Sequence, residues 1–420
     1  MKSGMLASMM SHVAAMAVCM VVVPALHAQA ASAVVAITQA HVVDGVTAQR
    51  VRNATIVVRD GKIASIQAGG SVPAGATVID AGGRWIAPGM IDVHTHVSTL
   101  ANARRALQSG VTTVRSASVP AYQDVALREL AKAGQVMAPD VLATGVFVTP
   151  DLGETLLADA RLGALARGVR TPEELKTLVR INADRGVNWI KTRGTERAGL
   201  PDTDPRQQTY SEAQLRAVVE EATVRGLPVM AHAHGDEGAY AAVAAGVRSI
   251  EHGTYLSDST LRLMKAKGTW LVPTLSTIWD LTTPGGDYDD PVLQLRGQHM
   301  APIIEETIRR AHAMGIRLAT GADTDYHRES TTRIAHEVIR FAKLGLTPLE
   351  ALTSATSGAA ELLRLADRTG RVAVGYEADL ILLEHDPLER PETLQDVLMV
   401  MTNGRVALNR LPFGITGRAP

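Results

Sequence analysis

The 420-residue chain contains a single cysteine, Cys19. One thiol closes no internal disulfide and builds no thiolate cluster, so any metal must be held by histidine, carboxylates or something rarer. Charge of one sign is also missing. The 42 Lys and Arg nearly cancel the 43 Asp and Glu, leaving a net charge of -1, and no basic face is offered to nucleic acid. No charge block or low-complexity tract marks a tail. The apolar run from Val13 to Leu26 is short for a membrane span. Lys2 precedes it, and Ala28-Gln29-Ala30 places small residues where a signal peptidase reads. Residues 1–30 therefore read as a secretory signal cleaved after Ala30, giving a periplasmic or secreted protein; the competing reading is an uncleaved anchor. No twin-arginine pair precedes the run, and the bulky Val18 before Cys19 does not suit a lipoprotein site. Cys19, His12 and His27 leave with the leader. No stable membrane insertion is expected of the mature chain.

What remains is ordinary globular composition, 46% hydrophobic and 20% charged, and long enough for one large barrel plus a small module. Val34-Val35-Ala36-Ile37, Ala54 to Val58, Ile63 to Ile66 and Thr77 to Ile79 read as short strands, with Asp60-Gly61 as a hairpin turn. Ala378 to Leu383 and Val397 to Met401 repeat the pattern, with Asn403-Gly404 as a second hairpin turn. Residues 31–86 and 367–420 are thus expected to form one small β-sandwich. Between them, strands and helices alternate over residues 87–366. The strand candidates are Ile91 to Val97, Thr112 to Ser116, Val141 to Val148, Trp189 to Thr192, Pro228 to His234, Ser249 to His252, Trp270 to Leu275 and Arg317 to Ala322. The stretch from Ser211 to Arg225 reads as a helix with Ser211 as N-cap and Gly226 as its stop. Eight strands with helical crossovers predict an α/β protein of the (β/α)8 TIM-barrel type.

Of the 13 histidines, five fall at strand ends. His94 and His96 are two apart on the first strand, so both imidazoles face one side. His232 and His234 repeat this on the fifth. His252 ends the sixth and Asp323 follows the eighth. Active sites of such barrels form at that face from several strand ends, and imidazole with carboxylate suits Zn²⁺ and its neighbours. One such histidine is more often a satisfied core residue; the clustering over four strands is what argues for a metal site. His41, His299, His312, His336 and His385 lie away from the clusters and read as structural or surface residues.

The sequence resembles the amidohydrolase superfamily over essentially the whole mature chain. The resemblance rests on Ala87-Pro88-Gly89-Met90-Ile91-Asp92-Val93-His94-Thr95-His96, on Gly110 to Arg115, on Ala231-His232-Ala233-His234-Gly235, and on Gly246 to Gly253. Gly345 to Leu352 and Gly375 to Leu380 close it. It looks closest to the branch of imidazolonepropionase-related proteins and of dipeptidases that release proline or other C-terminal residues. The resemblance implies two divalent metal ions, with zinc the first expectation. One would be held by His94, His96 and Asp323, the other by His232 and His252. Lys191, in Trp189-Ile190-Lys191, matches a fourth-strand lysine that becomes carboxylated and bridges the metals. A carbamate is an anion with two oxygens, able to span cations roughly 3.5–4 Å apart, whereas a free ammonium would repel both. The alternative for Lys191 is a surface lysine at a strand end. His232 rather than His234 matches the ligand, because relatives often carry Tyr at the latter place. His234 would then polarise the substrate carbonyl. Asp323 would take a proton from the attacking water and pass it to the leaving amine. Arg193, two residues beyond Lys191, could clamp a substrate carboxylate or form a loop salt bridge. Asp325 and His327 are further candidates for substrate contact.

The reaction this implies is hydrolysis of the amide of an N-acyl or aminoacyl amino acid. The branch is similar to enzymes that cleave the phenylalanine amide of ochratoxin, which makes that toxin a candidate substrate. A cyclic amide or lactone hydrolase is the second reading. Deamination is third, since Gly235 stands near where deaminases of the superfamily place a glutamate after the fifth strand. A non-catalytic barrel that serves in assembly belongs to another class, and metal analysis separates it from the enzymes. A homo-oligomer acting on a small molecule is expected.

Overall fold

The computed structural model of the chain describes residues 34–284, 288–327, 333–411 and 415–418. The expected leader, residues 1–30, lies outside the described residues. The described chain opens with five strands, β1 (Val35–Val43), β2 (Arg50–Arg59), β3 (Lys62–Ala68), β4 (Thr77–Asp80) and β5 (Trp85–Pro88). Asp60 and Gly61 take φ of 51° and 78°, the mirror-image turn whose twist suits a hairpin, and so return β2 into β3. β1 pairs with β2 along one edge. That pairing carries a register shift between Ile37 and Ala40, and on the other edge the first half of β1 pairs with β4 and its second half with β5.

Seven parallel strands follow. They are β6 (Met90–Thr95), β7 (Val111–Ser116), β8 (Asp140–Leu142), β9 (Ile190–Arg193), β10 (Val229–Ala233), β11 (Ser249–His252) and β12 (Trp270–Val272). β6, β7 and β8 form one arc, and β9 to β12 form another. Helices connect successive strands. The helix Glu212–Val224 forms where Ser211 and Gln214 complete a reciprocal capping box, and it buries Leu215, Val218 and Ala222 on one stripe. Isolated parallel bridges link the arcs: Val148 meets Thr192, Leu318 meets Leu271, and Thr324 meets Thr95. The result is a TIM-barrel-like α/β arrangement, not an unbroken ladder of eight strands.

The main differences from expectation lie in the third, seventh and eighth strands. The third strand stops at Leu142 because Thr144 and Gly145 donate to Asp124 and Val146 donates to Asn182. The seventh stops at Val272; Thr274 takes φ 48° and Leu275 begins a helix, Leu275–Asp280. The expected eighth strand forms no ladder. Thr320 donates to the Ser354 carbonyl and Ala322 to the Asp92 carboxyl, so those groups are spent elsewhere.

The C-terminal segment returns to the first sheet as β13 (Leu380–Leu383), β14 (Met399–Thr402), β15 (Arg405–Asn409) and β16 (Ile415–Arg418). Asn403 and Gly404 form the second mirror-image turn, with φ of 49° and 73°. β13 pairs with β5 and β16 with β4, so hydrogen bonding joins the expected sandwich into one branched sheet of nine strands from both chain ends. Ile37, Ile56, Ile86, Leu380, Leu382 and Met401 fill its core. No helix among the described residues is long and apolar enough to cross a membrane.

Candidate metal centre

The C-terminal ends of the parallel strands surround a cavity of about 710 Å³. His94, His96, Lys191, His232, His234, His252 and Asp323 all line it. His94 on β6 and His96, one residue past its end, keep the two-residue spacing of a strand. Lys191 on β9 and His232 on β10 share a face, since the register sets Met230 beside Lys191 and His232 beside Arg193. His252 breaks the alternation: the register pairs it with Ala233, on the opposite face from His232. Its φ of 75° re-aims the side chain into the cavity. Thr274 and Asp323 share this left-handed backbone, both with φ of 48°. Such geometry is costly for residues with a side chain, and its concentration around one cavity marks the site.

Hydrogen-bond partners set the imidazole tautomers. His96 Nδ1 donates to the Ser118 carbonyl at 2.8 Å. His252 Nδ1 donates to Thr274 Oγ1 at 2.6 Å, and that hydroxyl in turn donates to the Pro273 carbonyl. His94 Nδ1 lies 2.7 Å from the Glu251 carboxylate. All three leave Nε2 as the free lone pair. His232 is reversed: its Nε2 donates to the Glu196 carbonyl at 3.0 Å, leaving Nδ1. His234 Nδ1 lies 2.9 Å from Thr254 Oγ1, and its ring stacks on His252 at 4.6 Å.

The free donors converge. Asp323 Oδ1 is 3.1 Å from His96 Nε2 and 3.3 Å from His94 Nε2, and Lys191 Nζ is 3.3 Å from His94 Nε2. His94, His252 and Asp323 form one group of atoms close enough to share an ion, and His232, His234 and His252 form another. Burial holds the His232 and His252 imidazoles well below their usual range, with neighbouring imidazoles adding to the effect, and brings His234 down to about 3. Burial also lowers Lys191 to about 8, against the pull of Glu251 and Asp323. Burial alone would raise the Asp323 carboxyl, but the neighbouring His94 and His96 hold it well below the carboxylate range. Neutral imidazoles, an ionised carboxylate and a lysine with a weakened hold on its proton are the donor set a divalent cation requires.

Arg193 does not line the cavity. Its guanidinium turns to Glu196, 3.3 Å away, and the salt bridge takes up the charge. Arg197 lines the cavity in its place and has no carboxylate partner among the described residues. Asp325 and His327 both line the wall and contact each other. His41, His299, His312, His336 and His385 are not part of the lining. Sequence reasoning missed Glu251. It lies two residues from Ser249 on the inward face of β11 and is fully buried, and a carboxylate inside a buried parallel strand was the available signal.

The Amidohydrolase family profile matches residues 85–407. Ochratoxinase of Aspergillus niger is 31% identical over 317 residues, covering 69% of this chain and 63% of that protein. The match thus spans less than two thirds of that relative's length. Imidazolonepropionase of Ralstonia nicotianae is 29% identical, covering 82% of this chain and 88% of the relative. A crystal structure of a Xaa-Pro dipeptidase with methionine bound in its active site superposes with a TM-score of 0.79 at 25% identity, covering 89% of this chain and 99% of that one. With the profile spanning most of the sequence and the converging donors at its strand ends, the chain belongs to the amidohydrolase family.

Proposed function

We propose that this hydrolase uses two divalent cations to cleave the amide bond of N-acyl or aminoacyl amino acids. The arcs and the bridging segment are read as an eight-stranded barrel with its site at the C-terminal face. His94, His96 and Asp323 would hold one cation and His232 and His252 the other, with carboxylated Lys191 between them. Zinc suits these imidazole and carboxylate donors. When bound, such cations acidify water and polarise a carbonyl. The observation that carries this reading is the set of lone pairs aimed into one cavity while the opposite ring nitrogens are tied to the wall.

The chain's own groups then have distinct tasks. Asp323 is ionised and open to the cavity, so it can accept a proton from the attacking water and return it to the leaving amine. With Thr254 Oγ1 donating to His234 Nδ1, 2.9 Å away, an Nε2 proton would be left to meet the carbonyl oxygen as it gains charge. Arg197, which lines the cavity and has no carboxylate partner among the described residues, replaces Arg193 as the group that binds the substrate carboxylate. Asp325 and His327 line the wall where the rest of the substrate lies. The similarity to ochratoxinase and to a Xaa-Pro dipeptidase supports an amide of a C-terminal amino acid and makes ochratoxin A a candidate substrate.

A screen of N-acyl amino acids, dipeptides and ochratoxin A, with the C-terminal residue varied, tests this. Release of the free amino acid is expected. Arg197→Met should raise KM for these substrates far more than for their C-terminal amides. Turnover of lactones alone, with no amide in the panel cleaved, would overturn the assignment.

A further inference from the structure

We propose that Glu251 is the positioning residue that fixes His94 as a metal ligand and makes the cation position built on His94 the tighter of the two. This rests on the two-cation reading above. His94 is 1% exposed and Glu251 is fully buried, and they come from strands that are not neighbours, β6 and β11. Glu251 Oε2 stands 2.7 Å from His94 Nδ1. Removing a carboxylate from water is expensive unless it is paired and its lone pairs are satisfied. Here the pairing is complete. Arg115 Nη2 donates to both carboxylate oxygens at 3.0 Å, and Ser249 Oγ donates to Oε1 at 2.5 Å. Arg115 is itself fixed, donating to the Val93 carbonyl at 2.6 Å and lying 4.5 Å above the Trp189 ring. Glu251 therefore cannot swing away from His94.

The consequence is an asymmetry among the ligands. An anionic acceptor fixes the proton on His94 Nδ1 and makes Nε2 a stronger donor to a cation. The other outward contacts are to neutral groups: the Ser118 carbonyl for His96, the Glu196 carbonyl for His232 and the Thr274 hydroxyl for His252. One ligand alone in this set is backed by a full charge, and it belongs to the position shared with His96 and Asp323. A buried Arg115–Glu251 pair with no further task would satisfy the same carboxylate, but it would not change metal affinity.

Chelator titration of the Co²⁺-reconstituted enzyme, followed by visible absorption and elemental analysis, separates these cases. The wild type should release two cations in two steps. Glu251→Gln removes the anion, keeps an acceptor for Arg115, and should weaken the tighter step by about 10–100-fold while leaving the weaker step in place. ¹⁵N NMR of the imidazoles in the metal-free wild type gives a second measurement that needs no variant. His94 should carry its proton on Nδ1, with the most downfield N–H of the site histidines. Release of both cations in one step, an unchanged tight step in Glu251→Gln, or a proton on His94 Nε2 would each overturn the inference. A wild type that binds no cation would instead overturn the two-cation reading beneath it.

Discussion

Lys191 shows how a single residue depends on its surroundings. Carboxylation needs the neutral amine, and a lysine in water holds its proton to a pKa near 10.4. Burial in the cavity wall lowers Lys191 to about 8, so the neutral form is within reach at ordinary pH. Lys191→Ala should therefore lose most of its turnover, and a short carboxylic acid such as propionate should restore part of it by filling the gap. Lys191→Arg should stay inactive, because it fixes a positive charge where an anion is required. Activity assays on both variants, with metal reconstitution at varied bicarbonate, decide the matter; near-wild-type turnover of Lys191→Arg would sink the carbamate. Most of the candidate site was legible in the sequence at this scale, since His94, His96, His232 and His234 sit where strand period and strand ends put them, and Asp323 reaches the cavity although the strand expected before it forms no ladder. Arg193 was legible only as a choice between a substrate clamp and a loop salt bridge, because alternation gives the face of a residue and not the partner its long side chain finds; the salt bridge, to Glu196, is what forms. Glu251 escaped because its partners Arg115 and His94 come from the other arc and are brought to it only by folding.

Elements were legible where local chemistry is decisive. The two hairpin turns and the capped helix Glu212–Val224 form as their residues dictate. Strand ends were not, because distant side chains terminate them. Glu337 is such a case. It lies on the helix Arg333–Lys343 and accepts from the backbone of Leu275 and Ser276 and from the Ser276 hydroxyl, so it caps the helix Leu275–Asp280 that carries cavity residues Thr277 and Ile278. Burial raises the Glu337 carboxyl from 4.5 to about 7, against the hydrogen bonds and the charge of Arg340. A group whose pKa is higher folded than unfolded stabilises the fold fully below the unfolded value and loses that contribution as pH rises through the folded one. Stability should thus fall between about pH 4.5 and 7, by on the order of 3 kcal/mol from this group. Asp92 and Asp379 are raised to about 7 by burial as well and act in the same direction. Glu337→Gln isolates the one contribution. Urea unfolding across this range should show a shallower pH slope in the variant, and identical slopes would remove Glu337 from the account.

At the scale of the whole molecule, two expectations concern what is cut from the chain and what ties it together. If residues 1–30 are a leader, exported protein begins at Ala31 and holds no cysteine, so N-terminal sequencing should read from Ala31 and reductant should leave Tm unchanged. An intact Met1 on cytoplasmic protein would refute this. The second expectation follows from the topology. His94 and His96 stand on the three-stranded arc, Lys191, His232 and His252 on the four-stranded arc, and Asp323 on the segment that reaches both through Leu318 and Thr324. Between β8 and β9 the arcs meet at an isolated bridge, Val148 to Thr192. Under the proposed two-cation site, cations held by ligands from all three pieces would cross-link the sheet where its own ladder is thinnest. They would also bind the folded chain alone, since the unfolded chain scatters ligands from position 94 to position 323. A cation at about 100 times its dissociation constant then adds about 2.7 kcal/mol of stability. Exhaustive chelation should lower Tm by several degrees, and readdition of one metal equivalent should recover more of the loss than the second. Hydrogen exchange should place the loosening at Thr192 and at Leu318 to Thr324, while the terminal sheet, which contributes no ligand, stays protected. A metal-free protein with the Tm and exchange pattern of the loaded one would show that the cations do not span the arcs.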